Sequence, residues 1–123
     1  MARRALVVDD DAVSRLVLSH MLRGLDWSVE QAADSPEAAA RVGEADFDLV
    51  ISDFRLPSGT GVDVLHAVER SRRPAPFLLI TGIIEHSTLP PETADRLAGQ
   101  LTKPVSSDTL RTVLGRLFPP SAS

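Results

Sequence analysis

Short apolar runs rich in β-branched residues alternate along this chain with longer stretches in which apolar side chains recur at helical spacing. The runs fall at 5–8 (ALVV), 27–32 (WSVEQA), 49–52 (LVIS), 77–81 (FLLIT) and, more weakly, 100–102 (QLT). A period that keeps switching in this way predicts five strands wound with helices into βα units about a parallel sheet. Residues 12–24 place Val13, Leu16, Val17, Met21 and Leu22 on one helical face. A second helix opens at Ser35-Pro36, with Ser35 as its cap and proline in the first helical position. A third, over 61–71, carries Val62, Val64, Leu65 and Val68, and the last, over 107–117, carries Leu110, Val113, Leu114 and Leu117. Pro90-Pro91 falls where a further helix belongs. Proline inside a helix removes a hydrogen bond and clashes with the preceding turn, so that helix is expected to be short, beginning near Pro91 and ending by Leu97, with 83–89 as loop.

At 123 residues and 43% hydrophobic, the chain suffices for one core without disulfides, so residues 1–118 are expected to form one domain and 119–123 a tail or linker. The longest apolar stretch, 76–84, is far too short to cross a bilayer, and no signal peptide is expected. With no cysteine there is no thiol chemistry, which agrees with a reducing compartment and makes the cytoplasm the expected location. A formal charge of −4 argues against a phosphate-tracking surface, and Arg70, Arg72 and Arg73 are more simply cations at a helix C-terminus. Direct nucleic-acid binding is not expected.

In an open parallel sheet, ligands bind beyond the carboxyl ends of the strands. There the chain carries Asp9-Asp10-Asp11 after the first run, Ser52-Asp53 at the third, Thr81-Gly82 at the fourth and Thr102-Lys103-Pro104 at the fifth. Carboxylates crowded on one rim repel one another unless a cation joins them, and a hard oxygen site with few ligands suits Mg²⁺. A carboxylate beside such an ion can attack phosphorus and form an aspartyl phosphate, with a hydroxyl and an ammonium to hold the phosphoryl oxygens. Alone, Asp11 suits a helix N-cap, Asp53 a turn, Thr81 a buried strand position and Lys103 a solvated loop. The histidines His20, His66 and His86 have no metal-ligand spacing.

Taken together, VVDDD at 7–11, DLVISDFRLP at 48–57 with Gly61, LITG at 79–82 and LTKP at 101–104 strongly resemble the response-regulator receiver family of two-component signalling, over essentially the whole chain. The resemblance implies a flavodoxin-like doubly wound five-stranded parallel sheet of order 2-1-3-4-5, an architecture for which a chemotaxis receiver is a standard example. It implies Asp53 as phosphoacceptor, Mg²⁺ held by Asp10 and Asp53 directly, by Asp9 mostly through water and by the backbone carbonyl of Arg55, and Thr81 and Lys103 on the phosphoryl group. It further implies a cis Lys103–Pro104 bond, and a sensor histidine kinase or histidine phosphotransfer protein as donor. Gln100 stands where the family usually places an aromatic residue that reports the switch hydroxyl. The signal is therefore expected to travel through the loop before Pro91, and a dimer built on the face of that helix, the fifth strand and the last helix is expected to be weak.

Two other classes use similar residues. A small Mg²⁺-dependent phosphatase working through an aspartyl phosphate needs a general acid, usually an aspartate two residues past the nucleophile, and that place holds Arg55, which cannot donate a proton. A binding module that is never phosphorylated would have no use for the complete set. The expectation is thus no turnover of substrate, only Mg²⁺-assisted self-phosphorylation and autodephosphorylation.

Overall fold

In the computed structural model, residues 3–82 and 89–119 are described. The five apolar runs are parallel strands: β1 (Arg3–Val8), β2 (Trp27–Ala32), β3 (Leu49–Asp53), β6 (Phe77–Thr81) and β7 (Gly99–Thr102). Their order in the sheet is β2-β1-β3-β6-β7. Counted among these strands alone, that is the expected 2-1-3-4-5 arrangement. β4 (Arg55–Leu56) and β5 (Gly59–Thr60) form a separate antiparallel hairpin.

The central strands read as unbroken apolar runs because both faces of the sheet are covered. Ala5, Val7, Ile51, Leu78, Ile80 and Leu101 pack beneath α1 (Ala12–Arg23) and α5 (Ser107–Leu117), meeting Leu18, Leu22, Leu110 and Leu114. The alternate residues Leu6, Val8, Val50 and Leu79 pack beneath α2 (Ser35–Glu44) and α3 (Gly61–Arg70), meeting Ala38, Val64, Leu65 and Val68. Each such Leu, Ile or Val stabilises the fold by about 1.5–3 kcal/mol relative to exposure.

Two expectations need correction. The face of α1 that enters the core is that of Leu18 and Leu22, whereas Val13, Leu16 and Val17 are 67%, 57% and 49% exposed. Helix α1 is apolar around more than half its girth, so spacing does not say which stripe the sheet takes. Ser19 is buried with Leu18 and Leu22 at little cost, because its hydroxyl donates to the Arg15 carbonyl at 2.7 Å. The cap of α2 is Asp34, not Ser35. Its carboxylate accepts from the Glu37 N–H at 2.9 Å while the Glu37 carboxylate accepts from the Ala33 N–H at 2.7 Å, satisfying two backbone donors at once. Ser35 is instead a buried helical residue donating to the Ser58 carbonyl at 2.9 Å.

After β6 the described chain resumes at Leu89 and makes one helical turn, α4 (Pro91–Ala94), opening on proline as expected. Most of the expected loop, 83–88, lies outside the described residues. The β4–β5 hairpin, which the hydrophobic pattern did not announce, turns at residues 57–58, opens its second strand on Gly59 at φ +136° and delivers Thr60 as the cap of α3. No helix among the described residues is long and apolar enough to cross a membrane.

Candidate phosphorylation site

Parallel strands put all their carboxyl ends on one rim, and β1, β3, β6 and β7 bring the polar residues listed in the sequence to that rim together. Asp53 closes β3, paired with Ile80. The loop behind it is held by the Phe54 N–H on the Ile80 carbonyl and the Gly61 N–H on the Phe54 carbonyl, both at 2.8 Å. Gly61 is required here: a Cβ would sit 2.7 Å from the Asp53 carbonyl oxygen and 2.6 Å from Leu79 Cδ1.

Carboxylate oxygens of Asp9, Asp10 and Asp53 lie within 4.8 Å of one another. Asp9 and Asp53 are buried and Asp10 is exposed. Burial pushes the Asp9 carboxyl up, against the pull of a 2.9 Å hydrogen bond from the Asp11 N–H, and the like charge of Asp53 pushes the same way. Asp11 stays out of the cluster and caps α1, accepting from Ser14 N–H at 3.2 Å and Ser14 Oγ at 2.7 Å, bonds that lower its carboxyl.

Lys103 reaches back from the end of β7, its Nζ donating to Asp53 Oδ2 at 2.8 Å. Burial works to lower this ammonium, but the bond to Asp53 and the attraction of Asp53, Asp9 and Asp10 outweigh it and hold it above the ordinary lysine value. The Lys103–Pro104 bond is cis, as the resemblance implied. Thr81 ends β6 fully buried, its carbonyl accepting from the Lys103 N–H at 3.0 Å and its Oγ1 without a hydrogen-bond partner. Arg55 opens β4 two residues past Asp53, its side chain exposed.

Sequence reasoning missed two features of the rim. Arg15, one turn into α1, donates from Nη1 to the Asp9 carbonyl at 2.6 Å and from Nε to Gln31 Oε1 at 3.1 Å, fixing the backbone that carries the acidic pair. Beside the carboxylates lies an open cleft whose walls include Asp9, Val13, Ser14, Val17, Lys103 and Pro104. The second apolar stripe of α1 was its only sequence signal.

A family model, that of the response regulator receiver domain, matches residues 5–115. The chain belongs to that family. It is 26% identical over 118 residues to the chemotaxis protein CheY-3 of Vibrio cholerae, covering 94% of this chain and 91% of that protein. Among solved structures it resembles the chemotaxis response regulator CheY4 of Vibrio cholerae, with a TM-score of 0.80, 31% identity and coverage of 96% and 100%. It also resembles the response regulator TrrA of Thermotoga maritima, solved in complex with Mg(2+)-BeF, with a TM-score of 0.83, 25% identity and coverage of 94% and 99%. Receiver domains of two-component systems are phosphorylated on an aspartate with Mg²⁺ and take the phosphoryl group from histidine kinases.

Proposed function

We propose that Asp53 of this chain is the phosphoacceptor, that its donor is a phosphohistidine of a sensor histidine kinase or histidine phosphotransfer protein, and that the resulting conformational change is read by a downstream protein. The observation that carries this reading is the Asp9, Asp10 and Asp53 cluster with an ammonium bonded to one member of it. The donor set fits Mg²⁺: hard carboxylate oxygens, few in number and gathered within 4.8 Å of one another. Asp9, Asp10, Asp53 and the Arg55 carbonyl would hold it. When bound, it offsets the charge of the incoming phosphoryl group.

Asp53 attacks phosphorus through a carboxylate oxygen; the O–P bond forms as the P–N bond to the imidazole breaks, and the electron pair leaves on that nitrogen. Lys103 moves its hydrogen bond toward a phosphoryl oxygen, and the Thr81 hydroxyl donates to another. The place two residues past Asp53, where such a phosphatase carries its general acid, holds Arg55, which cannot donate a proton to an alcohol leaving group, and this favours a signalling domain that loses its phosphoryl group slowly to water over a phosphatase. The donor's phosphohistidine helix docks on the exposed stripe of Val13, Leu16 and Val17, which is continuous with the cleft beside Asp9 and Lys103. Residues 1–118 form the signalling unit and 119–123 a tail or linker, in the cytoplasm.

Acetyl phosphate with Mg²⁺, followed by intact-mass and peptide mass spectrometry, tests the assignment. One phosphoryl group on Asp53 is expected, and none in Asp53→Asn or in EDTA. Equal incorporation in either control overturns it.

A further inference from the structure

The β4–β5 hairpin has two residues to a strand, too few to hold a position by their own pairing, so its place is set by what it is tied to. Its register pairs Arg55 with Thr60 and Leu56 with Gly59. At its base the Gly61 N–H donates to the Phe54 carbonyl at 2.8 Å, and the Thr60 N–H donates to Asp63 Oδ2 at 2.9 Å. At its tip Ser35 Oγ donates to the Ser58 carbonyl at 2.9 Å, across 23 residues of chain. Between these ties a Cβ on Gly59 would collide with the Asp63 carboxylate and lie 3.1 Å from Ser35 Oγ, so the hairpin is wedged between the first turns of α2 and α3.

Capping does not explain the bond at the tip. A serine in the first turn of a helix ordinarily bonds back within that turn, but Asp34 and Glu37 already serve the backbone donors there. Ser58 is exposed, and water could serve its carbonyl. What the bond does fix is the place of the hairpin, and with it the Arg55 peptide, two residues past Asp53. A metal is sensitive to that placement. Carboxylate side chains swivel to suit ions of different size, whereas a backbone carbonyl follows an ion only if its loop moves. Mg²⁺ demands near-octahedral oxygens at about 2.0–2.1 Å, while Ca²⁺ accepts six to eight in flexible arrangements at about 2.3–2.6 Å.

We propose that Ser35 is a positioning residue for the metal centre: by holding the Ser58 carbonyl it fixes the hairpin that carries the Arg55 carbonyl, and so favours Mg²⁺ over Ca²⁺. The inference rests on the reading of Asp53 as acceptor beside a Mg²⁺ ion that the Arg55 carbonyl helps to hold.

Titrations of ¹⁵N-labelled protein with MgCl₂ and with CaCl₂, followed by NMR, are the test. In the native protein the Leu56 amide, which shares its peptide group with the Arg55 carbonyl, shifts on saturation with Mg²⁺. Ser35→Ala raises the Mg²⁺ concentration at half-saturation about fivefold, the loss of one hydrogen bond, and leaves that for Ca²⁺ within about twofold. Ser35→Cys, which nearly keeps the volume and weakens the donor, moves the same way. Ser71→Ala removes a hydroxyl from the far end of α3, where it donates to the Val68 carbonyl at 2.6 Å, and changes neither value. Native Mg²⁺ binding in either Ser35 variant, equal weakening for the two ions, or the same change in Ser71→Ala overturns the role of Ser35. A Leu56 amide that stays in place in the native protein removes the Arg55 carbonyl from the ligands and the inference with it. Acetyl phosphate labelling of the native protein separates the two readings: label at Asp53 with any of these results sinks this inference alone, while no label there sinks the acceptor and this inference with it.

Discussion

Lys103 Nζ and Asp53 Oδ2 are 2.8 Å apart, although 50 residues separate them in the chain. The bond joins the ends of β7 and β3, and it gives the buried Asp53 carboxylate a cation that is itself half-exposed. Lys103→Met removes the charge and keeps the length. Asp53 labelling by acetyl phosphate is expected to slow by about tenfold, equivalent to roughly 1.4 kcal/mol of barrier, a modest figure because solvent screens the ammonium. A rate equal to that of the native protein would show that Lys103 has no part in transfer.

Asp9 supplies a stability test in metal-free solution. Burial and the charge of Asp53 raise its carboxyl, so the folded chain holds that proton more tightly than the unfolded chain does. The resulting stabilisation is complete below the ordinary aspartate value and is lost as pH rises through the raised one. Near neutral pH the ionised group therefore disfavours the fold, and in EDTA Asp9→Asn is expected to melt higher than the native protein, the gap closing on acidification. Added Mg²⁺ is expected to raise the melting temperature of the native protein and to do so far less in the variant. A lower melting point for Asp9→Asn at neutral pH in EDTA contradicts this.

The exposed stripe of α1 separates docking from chemistry. Leu16→Glu and Val17→Glu are expected to leave stability within about 0.5 kcal/mol and acetyl phosphate labelling intact, since neither side chain is in the core. Transfer from a phosphorylated histidine phosphotransfer protein is expected to fall by about tenfold or more, because an apolar contact is replaced by a desolvated charge. Equal transfer from the protein donor to the native and variant chains rules out this face.

Arg55 follows Asp53 by two residues and is exposed. Its guanidinium is proposed to reach the phosphoryl group and obstruct water, and on that reading Arg55→Ala is expected to shorten the phosphoryl lifetime by up to about tenfold. Indistinguishable dephosphorylation rates would reduce its side chain to a solvated surface group.

Much of this was legible in one dimension. Strands β2 and β6 and helix α5 begin and end where periodicity placed them, and β1, β3 and β7 differ by a residue or two at their ends. Periodicity is a local record of which side chains face a core, and a parallel sheet needs nothing further to put Asp9, Asp10, Asp53, Thr81 and Lys103 on one rim. Asp11 as a cap and the helix start at Pro91 were equally local, since a cap bonds within its own turn and proline forbids its own N–H.

Other features depended on residues distant in sequence. Which stripe of α1 is buried was decided by the shape of the sheet beneath it, and Ser35 left the capping position once its hydroxyl found Ser58 across the fold. The need for glycine at Gly61 comes from the approach of Asp53 and Leu79, and the pairing of Lys103 with Asp53 from the closure of the strand order. The unpaired oxygens of Thr81 and Gln100 are visible only when burial is known, because a polar atom lacks a partner only where neither water nor protein can reach it. Sequence alone thus determined which chemical groups the rim would hold, and tertiary structure decided which of them meet, since contact depends on distances that local periodicity does not encode.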